Sequence, residues 1–354
     1  MKKIKVLHIF KMSRFHINID SVIYETVKEE NKNEKLESYI YIPKVDFQMQ
    51  YEIDGNISLV KVLNEYSVDL VIFHSLYKLE YLKLYRILNK KNIPYLIRPH
   101  GSFSKIMMKK NNIKKIICNV LFFNKFIEKS NGILYLNQME FKKSYFNTKQ
   151  NYYLPNMINI KLEEKIDGNR EKIKIIFIAK IDFYYKNIAF MVEVMKKILN
   201  LRKDIEFLIY GPANKDELKR LNLCIGKFNY GIKYCGAVYK KEKEKVYKEA
   251  DIFLLLSISE GMPMVLLEAL SYSLPCLVSF GTNMGEEINE YNCGIGVHIN
   301  RIDTVVREFN IFIEKYKNDP ELYKKNAIKL VKEKYKWNTD ENFNIYSEIL
   351  KGEK

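Results

Sequence analysis

The sequence predicts an α/β protein built from two doubly wound halves, each a parallel sheet covered by helices. Three observations predict it. The 354 residues exceed what one hydrophobic core usually organises, so two domains are expected. Short apolar runs without polar alternation are each followed by an amphipathic stretch, as in strands buried on both faces by crossover helices. The alternation pauses once, over the polar stretch 162–172 with its Asp167-Gly168-Asn169 turn, and then restarts on a fresh apolar strand. The expected division is 1–165, 166–336, and a last helix over 337–354.

In chain order, strands are expected at Ile4–Phe10, Ser38–Ile42, Leu70–His74, Tyr95–Arg98 and Ile133–Leu136, with helices at Leu79–Lys90 and Ile113–Glu128. The second half predicts strands at Ile173–Ala179, Glu206–Tyr210, Ile232–Cys235, Ile252–Leu256, Cys276–Ser279 and Gly296–Ile299. Its helices are expected at Ile188–Leu199, Asp216–Leu221, Lys241–Glu249 and Val265–Tyr272. Beyond residue 300 only helices are expected: Thr304–Tyr316, Pro320–Lys334, and one from about Asn338 to Leu350. Two such halves facing each other leave a cleft, and ligands of doubly wound sheets sit at the carboxyl ends of the strands.

Composition narrows the function classes. Apolar residues make up 47% and charged residues 29%, a globular balance rather than a disordered one. No run approaches the roughly 18 apolar residues needed to span a bilayer. The opening MKKIKVLHIF has a basic start, but polar residues follow at once with no small-residue cleavage site, so it reads as a first strand and the expected location is cytoplasmic. Cys118, Cys224, Cys235, Cys276 and Cys293 form no CxxC pair, and the histidines show no HExxH spacing. Reduced thiols and no metal are expected.

The net charge of +16 is uneven: residues 1–165 carry 28 basic against 16 acidic residues, or +12, and the remainder carries +4. That asymmetry fits an anionic partner or a solvated basic face. The lysine-rich stretch 103–130, with its single Glu128, suits peripheral contact with an anionic membrane surface, or a core-packed helix with a solvated lysine face. The basic residues lack the interleaved aromatics of a nucleic-acid module, so no nucleic-acid partner is expected.

The most informative stretch is Ser257–Pro275, SISEGMPMVLLEALSYSLP. It follows a buried strand and opens a helix at Gly261-Met262-Pro263, where Pro263 suits the first helical position. The amides of Gly261, Met262 and Met264 can then face an anion at a helix N-terminus. Glu268 is the sole charge between Glu260 and Glu286. It either hydrogen-bonds something in a cleft or snorkels at a helix edge.

The E-x7-E pair Glu260 and Glu268, within EGMPMVLLEAL, resembles the signature of the retaining family 4 glycosyltransferases. The resemblance implies the GT-B fold: two Rossmann-like domains and a C-terminal helix, headed here by Trp337, that crosses back onto the N-terminal domain. It implies that Glu260 and the backbone of Gly261, Met262, Pro263 and Met264 meet the donor sugar, and that Glu268 binds the ribose hydroxyls. FIAKIDFYYKN (Phe177–Asn187) resembles the loop that opens the family's C-terminal domain. This gives Lys180 and Lys186 the donor diphosphate and the leaving group.

RPHGSFS (Arg98–Ser104) resembles the family's PHG segment, which puts His100 at the reaction centre beside Gly101 and Ser102. His74, at the edge of the neighbouring strand, is a further acceptor-side candidate. Ser13 and Arg14 stand where the family often has a glycine-rich loop. Thr282 and Asn283 lie against the donor or form a simple turn, and Gly294-x-Gly296 reads as a turn. Glu140 matches a glutamate common after the strand that closes the family's first domain.

The implied reaction moves a sugar from a nucleoside diphosphate sugar to a glycan or lipid-linked glycan hydroxyl with retention, and needs no cofactor or metal. The bias toward Ile, Lys, Asn and Tyr suggests a low-GC bacterium, hence capsule, exopolysaccharide or lipopolysaccharide biosynthesis. The alternatives are a nucleotide-sugar epimerase or hydrolase of the same fold and, more remotely, a non-catalytic nucleic-acid-binding protein.

Overall fold

The structure, a computed structural model, describes residues 2–11, 17–45, 50–109, 122–146, 150–161 and 171–352. Ser13, Arg14, Cys118, the Asp167–Asn169 turn and residues 110–121 of the basic stretch lie outside the described residues. The chain separates into two compact units, one formed by Met1–Met157 with Trp337–Lys354, the other by Ile158–Lys336.

The first unit holds β1 (Ile4–Ile9), β2 (Leu36–Tyr41), β3 (Glu52–Ile53), β4 (Leu70–His74), β5 (Tyr95–Arg98), β6 (Gly132–Tyr135) and β7 (Asn151–Tyr153). They form one sheet in the order β3-β2-β1-β4-β5-β6-β7, with every pairing parallel. The period of two along each strand sorts the side chains. Leu7, Ile9, Val71, Phe73, Tyr95 and Ile97 pack on one face with Tyr81, Leu88 and Phe126 from the helical layer. Val6, Leu70, Ile72 and Leu96 pack on the other face with Tyr346 and Ile349 of the Thr339–Lys351 helix. The same alternation puts His8, His74 and Arg98 on this second face, at its carboxyl end.

The second unit holds β8 (Ile173–Ile178), β9 (Ile205–Tyr210), β10 (Ile232–Tyr234), β11 (Ile252–Leu255), β12 (Cys276–Ser279) and β13 (Gly294–Val297). Their order is β10-β9-β8-β11-β12-β13, again parallel throughout. In both sheets the chain builds outward from its first strand, then returns to that strand's other side. The reversal falls between β1 and β4 in one sheet and between β8 and β11 in the other, the place where doubly wound sheets open a binding crevice.

Several sequence expectations need correction. The Ile17–Glu30 helix escaped the sequence reading because its buried face mixes Val22, Ile23 and Val27 with Thr26, Glu29 and Glu30. Pro263 caps the following helix in an extended conformation, and the helix proper is Met264–Ser271. The last helix begins at Thr339, and Trp337 precedes it against the first sheet. Gly294 and Gly296 belong to β13 and not to a turn before it. Gly294 has φ 153°, and a Cβ there would lie 2.0 Å from the Cys276 carbonyl oxygen, so a bare backbone lets β13 seat beside β12.

In the basic stretch the structure describes helices Lys105–Lys109 and Asn124–Glu128, and the apolar Phe103, Met108, Phe123, Phe126 and Ile127 are all buried. Among the described residues no helix is long and apolar enough to cross a membrane.

Candidate active site

In the second unit, three loops leave the carboxyl ends of β8, β11 and β12 and are tied to one another. The Ile258 amide donates to the Tyr185 carbonyl at 2.8 Å, and the Glu260 amide donates to the Gly281 carbonyl at 2.9 Å. A Cβ on Gly281 would lie 2.1 Å from the Ser257 carbonyl oxygen, so glycine permits this approach. Asn283, in the left-handed region at φ 62°, donates its side-chain amide to the carbonyls of Glu260 (2.8 Å) and Gly261 (3.0 Å). Thr282 is fully buried and donates to the Ser279 carbonyl at 2.8 Å. Asn283 therefore holds the Glu260-Gly261 loop in shape, while Thr282 closes its own turn onto Ser279.

Onto this frame the sequence places its charges. Lys186 Nζ donates to Glu260 Oε1, which also accepts from Ser257 Oγ at 2.7 Å. Lys180 follows β8 and is exposed. Glu268 sits one helical turn into Met264–Ser271, and its Oε2 is shared by two partners: Lys243 Nζ, in an ion pair, and the Tyr247 hydroxyl at 2.8 Å. Both come from the helix Lys240–Glu249. Burial, reinforced by the Glu268 carboxylate, pushes the Tyr247 hydroxyl well above its usual range, so it stays a donor. The structure thus joins Lys186 to Glu260 and gives Glu268 a lysine of its own.

In the first unit, the carboxyl ends of β1, β4 and β5 carry a row of histidines. His8 Nδ1 lies 3.0 Å from His74 Nε2, and His74 Nδ1 lies 2.9 Å from His100 Nε2. At the inner end His8 Nε2 meets Glu30 Oε2 at 3.0 Å. Glu30 Oε1 accepts from Asn342 Nδ2 and from the Tyr346 hydroxyl, each at 2.7 Å. Burial pushes His74 and His100 well below the ordinary histidine range; the Arg98 guanidinium adds to this for both, and the neighbouring histidines do so for His74.

The turn after β5 is held from behind. His100 has φ 49° and Gly101 φ 82°, and the Gly101 amide donates to Glu140 Oε1. Glu140 Oε2 accepts from the Leu136 amide at 2.7 Å. Burial raises the Glu140 carboxyl to about 6, against the opposing pull of those two amides and of Arg98. Ser102 Oγ is buried in the same turn without a partner among the described residues.

Sequence reasoning did not single out His8, Glu30, Ser257, Lys243 or Tyr247. His8 carried a signal, a polar side chain inside the otherwise apolar run Val6–Phe10. Lys243 carried none, standing among five lysines in Lys240–Glu249.

Comparison with known proteins identifies the second unit. Residues 159–330 match the family described as glycosyl transferases group 1. An uncharacterized glycosyltransferase of Methanocaldococcus jannaschii is 29% identical over 198 residues, 53% of this chain and 50% of that protein. The UDP-Gal:alpha-D-GlcNAc-diphosphoundecaprenol alpha-1,3-galactosyltransferase of Escherichia coli is 29% identical over 155 residues, 41% of this chain and 38% of that one. The chain matches half or less of the length of these two relatives. Among solved structures, the sucrose-phosphate synthase of Thermosynechococcus elongatus superposes with a TM-score of 0.76 at 14% identity, covering 99% of this chain and all of that one. Residues 159–330 are thus similar to the group 1 glycosyltransferases, and the two parallel sheets have the GT-B fold.

Proposed function

We propose that this chain transfers a sugar from a nucleoside diphosphate sugar to a hydroxyl acceptor and keeps the anomeric configuration of the donor. The observation that carries the reading is the pair Glu260 and Glu268, set around the start of one helix, each with a lysine already on its carboxylate. Glu268 has Oε2 fixed by Tyr247 and Lys243, which aims the carboxylate at a second set of donors such as vicinal ribose hydroxyls. Because Lys243 accompanies it, covering Glu268 with a nucleotide buries a pair and not a lone charge.

Lys180 and Lys186 supply the cations for the diphosphate. As the bond from the anomeric carbon to the diphosphate oxygen breaks, negative charge grows on the leaving group, and fixed cations there lower the barrier without a metal ion. Lys186, held through Glu260 to Ser257, is pre-positioned for this. We assign Glu260 and the Gly261, Met262 and Met264 amides to the donor sugar, and, in the first unit, His100, Gly101 and Ser102, with His74 hydrogen-bonded to His100, to the acceptor side.

The name of the Escherichia coli relative supports UDP as the first nucleotide to try and a lipid-linked glycan as the acceptor class, in bacterial surface polysaccharide assembly. An acceptor of that kind suits an enzyme working at the inner face of the membrane. Lys105, Lys125 and Lys129, exposed among the described residues, are then available to anionic lipid. Thermal-shift screening with UDP, GDP, ADP and their sugars should raise the unfolding temperature for one nucleotide, since a ligand of the native state stabilises by mass action. The product formed from that donor, analysed by NMR, should keep the donor's anomeric configuration. An inverted product, or hydrolysis or epimerisation without an acceptor, would overturn the reading.

A further inference from the structure

The row Glu30, His8, His74, His100 crosses three neighbouring strands at the carboxyl edge of the first sheet, and the reaction outlined above uses only its outer end. Glu30 and His8 are buried with no solvent exposure, and His74 is 1% exposed. Four polar side chains do not line up in a core without a use or a cost.

Their geometry fixes where the hydrogens can be. Glu30 Oε1 receives hydrogen bonds from Asn342 and Tyr346 and its Oε2 meets His8 Nε2, a set that suits an ionised carboxylate accepting at both oxygens. Burial opposes that charge, but attraction to His8 as an imidazolium and hydrogen bonds from His8 and Asn342 outweigh burial and hold Glu30 down to about 2. With Glu30 ionised, His8 donates from Nε2, which makes its Nδ1 an acceptor when the ring is neutral. His74 then donates from Nε2 to His8 Nδ1, and His100 donates from Nε2 to His74 Nδ1. The neutral row has one solution, with every ring protonated at Nε2 and His100 Nδ1 bare at the outer end.

We propose that this row is a proton relay, which takes up one proton at His100 Nδ1 and delivers the positive charge to His8, beside Glu30. A proton from the site bonds to His100 Nδ1, and the Nε2 proton of His100 passes to His74 Nδ1. The Nε2 proton of His74 passes to His8 Nδ1, and His8, which keeps its own Nε2 proton, becomes the imidazolium paired with Glu30. His74 and His100 end neutral, each with its proton moved from Nε2 to Nδ1.

The surrounding charges favour that end point. Arg98, on β5, faces His74 and His100 and disfavours a cation on either ring. Glu30 favours one on His8. Tyr346, from the last helix, hydrogen-bonds Glu30, and Glu140 stands behind Gly101 and faces Arg98. His100 can thus serve as a base while remaining uncharged, and Glu30, His8 and His74 are positioning residues that act through it.

What supplies the proton, an acceptor hydroxyl, rests on the transferase reading; the relay does not, so it is tested without substrate. Full-length protein with 15N-labelled histidine is titrated over about pH 9 to 5, the range in which histidines change state, with ring signals assigned by single substitutions. The expected result is that the bare nitrogen of His100 moves from Nδ1 to Nε2 as the imidazolium appears at His8. An imidazolium on His100 itself, or an Nδ1 that stays bare throughout, overturns the proposal.

Glu30→Gln gives a second test. Its amide can donate to His8 Nε2 and so forces the reversed tautomers, with His100 Nδ1 protonated from the alkaline end onward and the switch lost. Wild-type tautomers in the folded variant would overturn the relay, and the wild-type titration decides the question if the variant does not fold. A chain that transfers no sugar would still show the switch, whereas a transferase without the relay would not.

Discussion

The two units share a strand order and place their polar residues at the same point of the sheet, yet the chemistry at that point differs. In the second unit the carboxylates are partly exposed and each meets a lysine: the side chains of Lys186 and Glu260 are both 17% exposed, those of Lys243 and Glu268 24% and 28%. Such pairs are held weakly enough to exchange partners when a phosphate or hydroxyl arrives. In the first unit the only acid of the row is sealed off with its histidine, and the row ends at the half-buried His100. Topology decides where the functional edge lies. Desolvation decides whether that edge trades ions or passes protons.

The comparison can be broken most forcefully at Lys186. If the second unit works by charge, Lys186→Ala should lower kcat by about 10²-fold, the usual cost of removing one group that stabilises developing charge. Nucleotide affinity should fall far less, and a variant with near-normal kcat would remove the lysine from the leaving group.

Glu268→Ala should act on affinity instead. Charged hydrogen bonds are worth about 1.5–3 kcal/mol each, so calorimetric titration of the free nucleoside diphosphate should show at least about tenfold weaker binding. Folding should persist, since the side chain reaches out of the core. Unchanged affinity would end the ribose assignment. Glu260→Ala should show the opposite bias, with turnover falling more than nucleotide affinity.

The first unit makes a prediction about pH. Glu140 rises from its ordinary 4.5 to about 6 on folding, because burial favours the neutral acid. The native state then binds more protons than the unfolded chain between those values. That contribution is complete below about pH 4.5 and is lost as pH climbs through 6, about 2 kcal/mol in all. Chemical denaturation of wild type and Glu140→Gln across this window separates it from the histidines, whose lowered values work in the other direction. An identical pH dependence in both proteins would contradict the assignment. The smallest effect should be that of chelation: with lysines at the diphosphate, excess EDTA should leave activity unchanged, and a loss restored by a divalent cation would show that the second unit borrows charge from a metal.

Much of this was legible in the sequence because burial writes itself as apolar runs. Strands such as Leu70–His74 and Cys276–Ser279 announce both bounds, since every residue in them is buried. The loop after β11 was legible because one glutamate stood alone on an apolar helix. What escaped were partnerships across sequence distance. Lys243 precedes Glu268 by 25 positions, Asn342 follows Glu30 by 312, and neither pairing has a local period or spacing to betray it. Thr282 and Asn283 were visible as a turn, but only the carbonyls that Asn283 bonds show that it shapes the neighbouring loop.

The Thr339–Lys351 helix has a consequence for the order of assembly. A nascent chain of 336 residues already contains every strand of both sheets, and the whole second unit can close, because Ile158–Lys336 is continuous. The first unit cannot finish, because the face of its sheet carrying Val6, Ile72 and Leu96 still lacks Tyr346 and Ile349, and Glu30 lacks two of its donors. The unit made first therefore matures last, and loss of a single terminal helix would leave an apolar sheet face bare and a buried acid undersatisfied in a region synthesised hundreds of residues earlier.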